Sequence, residues 1–223
     1  MKYFFIYMLL GNFLRNPLLA ILLIVFIYVF IDRQYIGILP DIFKPFKRRG
    51  RISALRNEVE INPYQGHAFY ELGALFVEKG NMKQGIIYLE KARELMSDYP
   101  DIHYYLGVAY LKIGSLEKAK DALERALELK PKIKYGAPYI YLVEYLLKVE
   151  SYNEKAEEYV EKIRNYGSPE FSYKLGVVFN ETGYKDEAKE MYREAVTHYR
   201  NCAGFYKKQN RYWAFRAKIR GMV

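Results

Sequence analysis

The sequence predicts an all-α protein: a solenoid of stacked helical hairpins, about four repeats with capping helices, behind one N-terminal transmembrane helix. Three observations lead there: a residue pattern with a 34-residue period, a long apolar run ahead of it, and charge gathered at both ends of the chain. Leu72-Gly73, Phe76, Gly80, Gly85 and Ala92 are matched 34 residues on by Leu106-Gly107, Tyr110, Gly114, Ala119 and Ala126. The set returns a further 69 residues along, two periods plus one, as Leu175-Gly176, Phe179, Gly183, Ala188 and Ala195. A unit of this length is a helical hairpin that cannot bury its apolar face alone, so copies stack.

Of the 223 residues 51% are apolar, ample for a packed core. The formal charge of +9 is unevenly placed. Residues 1–51 hold eight basic and two acidic side chains, residues 201–223 six basic and none acidic, and the stretch between 21 basic against 24 acidic. Contact with anionic lipid or nucleic acid is therefore expected at the ends and not along the body. The lone Cys202 excludes an internal disulfide framework and any zinc module built on the cysteines of one chain.

Residues 1–36 read as a membrane anchor. From Tyr3 to Ile31 only Gly11, Asn12, Arg15, Asn16 and Pro17 interrupt an apolar run. Asn16 suits an N-cap and Pro17 the first helical position, so a helix starting there and running to about Leu39 would span the bilayer. Residues 3–14 would form a separate interfacial or shallowly inserted helix, giving lipid contact over 3–39. A cleavable signal peptide fits less well, because a second apolar run stands where a small-residue cleavage site and a polar mature chain belong. Arg33, Lys44, Lys47, Arg48, Arg49 and Arg51 follow the span closely, which sets a single-pass cell-membrane protein with its repeats in the cytoplasm. A hairpin with both ends inside would bury Arg15 in lipid. Residues 37–50, with Pro40, Pro45 and the cluster Lys47-Arg48-Arg49, read as a basic juxtamembrane linker suited to a stop-transfer flank and to anionic headgroups.

Residues 51–202 form the repeat array. Residues 51–61, followed by Asn62-Pro63, match the end of a second helix and read as a half repeat that caps the stack. First helices are expected over 67–79, 101–113 and 170–182, each closed by a glycine, Gly80, Gly114 or Gly183, placed for a left-handed residue. Gly73, Gly107 and Gly176 lie inside those helices, where glycine costs about 1 kcal/mol against alanine, so close helix approach is the expected compensation. Between residues 134 and 168 the pattern weakens: Val143-Glu144 replaces Leu-Gly, which implies looser packing or a shifted register, with helices expected over 138–150 and 152–166. Residues 203–223 read as a basic amphipathic capping helix, Phe205, Tyr212 and Ile219 facing the last hairpin and Lys207, Arg211 and Lys218 on a neighbouring stripe.

On these residues the array resembles the tetratricopeptide repeat (TPR) family. The resemblance places the concave surface on the first helices and implies a partner groove of Tyr70, Ala74, Val77, Tyr104, Val108, Leu111, Tyr141, Tyr145, Lys148, Tyr173, Val177 and Asn180. Tyrosine fills one frame position in all four copies, at 70, 104, 141 and 173. Such a ladder suits a protein or peptide ligand, and it equally suits packing between hairpins. TPR domains that grip a C-terminal carboxylate resemble one another in inward lysines and asparagines, and here Tyr70, Ala74, Tyr105, Pro138 and Leu142 stand in those places. The carboxylate clamp is absent.

Catalysis and cofactors find no support in the motifs: no phosphate-binding Gly-Lys loop, dinucleotide fingerprint or paired-histidine helix is present. His198 and Cys202 share a helix face, but zinc would need further ligands that lie nowhere near in sequence. Tyr206, Trp213 and Phe215 interleave with Lys207, Lys208, Arg211, Arg216 and Arg220, a mix that can stack bases and pair phosphates. A capping helix uses the same side chains to cover a hairpin face, and that reading is preferred. The function expected is a non-catalytic, membrane-anchored scaffold holding a partner in its groove; the alternative is a basic module that binds nucleic acid or anionic lipid through its last helix.

Overall fold

The structure, a computed structural model, describes residues 16–31 and 44–222. Eleven α-helices and one 3-10 turn are found among them, with no strand. α1, Pro17–Ile31, starts behind Asn16, whose side-chain carbonyl accepts from Leu18 N–H as an N-cap should. Its 15 residues reach about 22 Å at 1.5 Å each, short of a hydrocarbon core of about 30 Å. Among the described residues no helix is long and apolar enough to cross a membrane. Residues 3–14, expected as an interfacial helix, and 32–39, expected to prolong the span, lie outside the described residues. Eleven large apolar side chains of α1 are exposed.

α2, Lys44–Ile61, takes up part of the expected linker. Ile52, Leu55 and Val59 are buried, and on other faces Arg48 and Arg51 reach Glu78 and Glu71 of the next helix. Thus Arg48, expected at a lipid surface, is committed to an intramolecular pair, while Lys47 and Arg49 remain exposed. Four hairpins follow: α3 Gly66–Glu78 with α4 Met82–Leu95, α5 Pro100–Lys112 with α6 Leu116–Leu129, α7 Ala137–Val149 with α8 Glu154–Arg164, and α9 Pro169–Glu181 with α10 Lys185–Asn201. α11, Gly204–Arg220, lies against α9 and α10.

Three hairpins close as the sequence pattern implies. A Cβ on Gly73, Gly107 or Gly176 would sit 2.6, 2.5 or 2.7 Å from Leu89, Leu123 or Tyr192 of the facing helix. Only a bare backbone permits that approach. At the turn, Gly80, Gly114 and Gly183 hold φ of +89°, +82° and +95°. There the N–H groups of Asn81, Ser115 and Tyr184 donate to the Phe76, Tyr110 and Phe179 carbonyls at 2.9 Å, which satisfies helix-end acceptors that would otherwise be orphaned.

The third hairpin differs. Glu144 occupies the glycine position and is 4% exposed; its carboxylate takes Lys112 Nζ of α5 at 2.9 Å and Lys148 Nζ at 2.7 Å. No glycine ends α7, and α8 is three residues shorter than α4 or α6. At the first two junctions each new hairpin rests chiefly on the second helix before it, whereas α9 rests mainly on α7. Polar contacts fill the weakened seam: Arg164 at the end of α8 donates to Glu190 and Glu194 of α10.

α11 is oriented unlike the expectation. Ala214 and Ala217 are its buried residues and Trp213 turns toward α9, while Phe205 and Ile219 are exposed. The small alanines let the helix lie close to α10, which rotates the larger apolar side chains outward.

Replacing Gly107 with alanine is expected to cost a net ~1–2 kcal/mol despite alanine's better helix propensity, because Leu123 must move. Gly50→Ala, where nothing lies within 4 Å of the new Cβ, is expected to gain about 0.5–1 kcal/mol. Urea denaturation of both variants checks the difference. Lys112→Met/Lys148→Met, which leaves a buried carboxylate unpaired, is expected to lose about 2–3 kcal/mol, more than Glu144→Gln in the same assay.

Candidate recognition groove

The first helices α3, α5, α7 and α9 carry the expected groove residues, and burial divides them sharply. Ala74, Val77, Val108, Leu111, Tyr145 and Tyr173 are buried. Val77 points at the bare backbone of Gly85 in its own hairpin, so it closes the hairpin and does not line a groove. Tyr145 reaches back to α6, its hydroxyl donating to Glu117 at 3.0 Å. Tyr70, Tyr104, Tyr141 and Val177 are partly open, and Asn180 is exposed.

What the structure assembles is an aromatic row. Ring centroids of Tyr70 and Tyr105 lie 6.1 Å apart, Tyr105 and Tyr104 5.1 Å, Tyr104 and Tyr141 6.0 Å. His67 stacks on Tyr70 at 5.6 Å and Tyr99 meets its edge at 5.0 Å. These spacings are those of favourable edge and offset ring contacts. The row therefore crosses three first helices without a break. Tyr104 and Tyr141 also pack against both buried clusters of the core, one centred on α3–α5 and one on α7–α10, so the same rings join neighbouring hairpins.

Tyr173, expected as the fourth rung, is taken out of the row. Its ring faces Tyr192 at 5.8 Å and Trp213 at 5.5 Å, with the Arg216 and Arg220 guanidinium groups over it. The helix α11 has covered it. Sequence spacing singled out the rung position and named Tyr105, one residue along, only as an inward residue in place of a carboxylate clamp, and it passed over Tyr99 in the preceding turn; the doublet Tyr104-Tyr105 was the available signal for the row.

The row is electrically quiet. Tyr105 donates to Glu78 at 3.1 Å, and Glu78 is paired with Arg48; Asp101 holds Lys134 at 2.7 Å, and that ammonium also lies 5.5 Å from the Tyr105 ring centre. Lys134 and Tyr135 adopt left-handed φ of 45° and 54°, an uncommon conformation for side-chain-bearing residues that sets Lys134 beside the groove. Burial, followed by the neighbouring Tyr141, pushes the Tyr104 phenol far above its ordinary range; burial also raises Tyr70 and Tyr105. The phenols stay protonated and offer rings with hydroxyl donors. Among the described residues no group of three or more metal-ligating side chains gathers. His198 bonds Ser172 through Nδ1 at 3.0 Å and Cys202 donates to the Tyr199 carbonyl, so the pair noted in the sequence is occupied locally.

Comparison with known proteins fits this geometry. Residues 100–133 and 169–202, the α5–α6 and α9–α10 units, each match the tetratricopeptide repeat. The chain is 29% identical over 139 residues to the TPR repeat-containing protein YpiA of Bacillus subtilis (strain 168), a match covering 61% of this chain and 30% of that protein. The chain thus spans less than a third of that relative's length. Among solved structures it resembles a thermophilic TPR protein of Thermus thermophilus, with TM-score 0.58, 15% identity and coverage of 81% of this chain and 94% of the other. It also resembles the MamA protein, with TM-score 0.54, 24% identity and coverage of 75% and 87%. At these identities the structural matches establish the fold alone: an all-α TPR solenoid.

Burial makes the tyrosines unequal. Tyr173→Ala is expected to cost about 3 kcal/mol, as for other large buried side chains, and Tyr70→Ala about 1 kcal/mol. Thermal or urea unfolding followed by circular dichroism distinguishes them.

Proposed function

We propose that the protein is a membrane-associated, non-catalytic TPR scaffold that holds a protein or peptide along the row Tyr70, Tyr105, Tyr104 and Tyr141. TPR arrays are protein-interaction scaffolds, and a solenoid presents extended surface suited to that role. The observation that carries the reading is the continuity of the row across three first helices while its rings stay partly open. With Glu78 and Asp101 already neutralised, the surface favours apolar side chains and backbone acceptors over charged ends. An extended segment or an amphipathic helix suits it.

Membrane attachment is the second part of the proposal. α1 exposes most of its apolar side chains, and lipid is the environment that lowers that cost. The basic residues that follow it favour a cytoplasmic array.

A photo-crosslinking residue placed at 70, 105 or 141 in the full chain, in intact membranes, is expected to capture one and the same protein. Position 87, exposed on α4, serves as control and should not capture it. Recovery of lipid alone from the three row positions, or equal capture from 87, contradicts the reading.

A further inference from the structure

The α10–α11 face combines exposed apolar side chains with cations that make no ion pair among the described residues, Glu181 being the acid that shares a cleft with Lys189. On α11 the alanine seam turns Phe205, Phe215 and Ile219 outward, and Met222 follows in the turn after it, each about half exposed or more. Alongside, Lys189, Arg193 and Arg200 follow one face of α10, and Lys218 stands on α11 across a cleft of about 340 Å³ that Arg193, Arg200, Lys218 and Met222 help to line. Among the described residues these four cations make no ion pair. From Ala195 to Met222 the chain contains no acidic side chain. The sequence singles out Phe205, Ile219 and Lys218 of this face, but with the apolar stripe turned inward and without the cations of α10, which lie on a repeat helix.

We infer that this face docks on an anionic phospholipid bilayer. Phe205, Phe215, Ile219 and Met222 enter the boundary between headgroups and acyl chains, and Lys189, Arg193, Arg200 and Lys218 meet lipid phosphates. Three considerations select a bilayer. A second copy of the chain, joined face to face, would set these cations against themselves. A nucleic acid would leave the outward Ile219 and Met222 in water and would find Phe205 already in contact with Tyr206, their centroids 4.1 Å apart. A bilayer, by contrast, accepts apolar side chains and cations together, and it also receives the exposed apolar helix α1. The inference is independent of the tyrosine row, since α11 covers only Tyr173.

The test uses the full chain carrying Cys202→Ser and Phe215→Cys, labelled at the new thiol with an environment-sensitive fluorophore. Because α1 can hold the chain on vesicles of any composition, the readout is the label's own surroundings. With vesicles rich in phosphatidylglycerol, the emission is expected to shift to the blue and to be quenched by lipid-borne nitroxide. With pure phosphatidylcholine, or after adding Lys189→Glu, Arg193→Glu and Arg200→Glu, the fraction of label in lipid is expected to fall about tenfold or more. A label at Ile87→Cys should stay aqueous throughout, and Phe205→Cys supplies a second reporter should the first variant fail to fold by circular dichroism. The inference is overturned if the labels at 215 and 205 remain aqueous while the chain sediments with phosphatidylglycerol vesicles. It is overturned equally by a shift that depends on protein concentration without vesicles, or by one that single-stranded oligonucleotide produces and vesicles do not.

Discussion

Everything in this array depends on how closely two helices of one hairpin approach. Where Gly73, Gly107 and Gly176 remove the Cβ, a leucine or tyrosine of the partner helix rests directly on backbone. That contact costs helix propensity locally and returns it as dense packing. It also fixes the angle between the helices, and through it the direction in which the next hairpin stacks. The repeated turn, with its left-handed glycine and its bond back to Phe76, Tyr110 or Phe179, preserves the same geometry at the tip.

The third hairpin shows what happens when the constraint is relaxed. A buried carboxylate in place of glycine needs counter-charges, and Lys112 and Lys148 supply them from two helices. Buried ion pairs of this kind hold geometry more than they add stability. The following hairpin settles on α7 instead of α8, and Arg164 bridges the remaining seam to α10. The groove inherits this change: Tyr141 still joins the aromatic row, whereas Tyr173 one hairpin later is sealed beneath Trp213.

Much of this architecture was legible in the sequence, because each repeat writes the same constraint at the same spacing. Bounds of the first helix in each of the three regular hairpins fall within one residue of those expected. Lateral choices were less legible. A 34-residue frame says which positions recur but not how far each side chain is covered, so Val77 and Leu111 read as lining a groove when both are buried, Val77 against Gly85 of its own hairpin. The orientation of α11 escaped for a related reason: stripes of large apolar residues are usually taken as the buried face, but here two alanines permit closer packing than any phenylalanine would. Part of the expected basic linker proved helical, because Ile52, Leu55 and Val59 extend an apolar seam toward it.

Function then follows from which surfaces the stacking leaves open. The inner row of tyrosines joins neighbouring hairpins, and in the proposed function the same rings meet the partner, which is why neither role could be assigned from the frame position alone. The apolar α1 and the outward face of α11 are the other open surfaces, and both occur in the strongly basic ends of the chain. The central claim, that hairpin closure at a bare backbone governs the array, is most directly tested by native-state amide hydrogen exchange. Both helices of each glycine-closed hairpin, α3–α4, α5–α6 and α9–α10, should share one opening free energy, with α8 less protected than α4, α6 or α10. Equal protection of α8, or exchange of α4 and α6 well ahead of their partner helices, would contradict it.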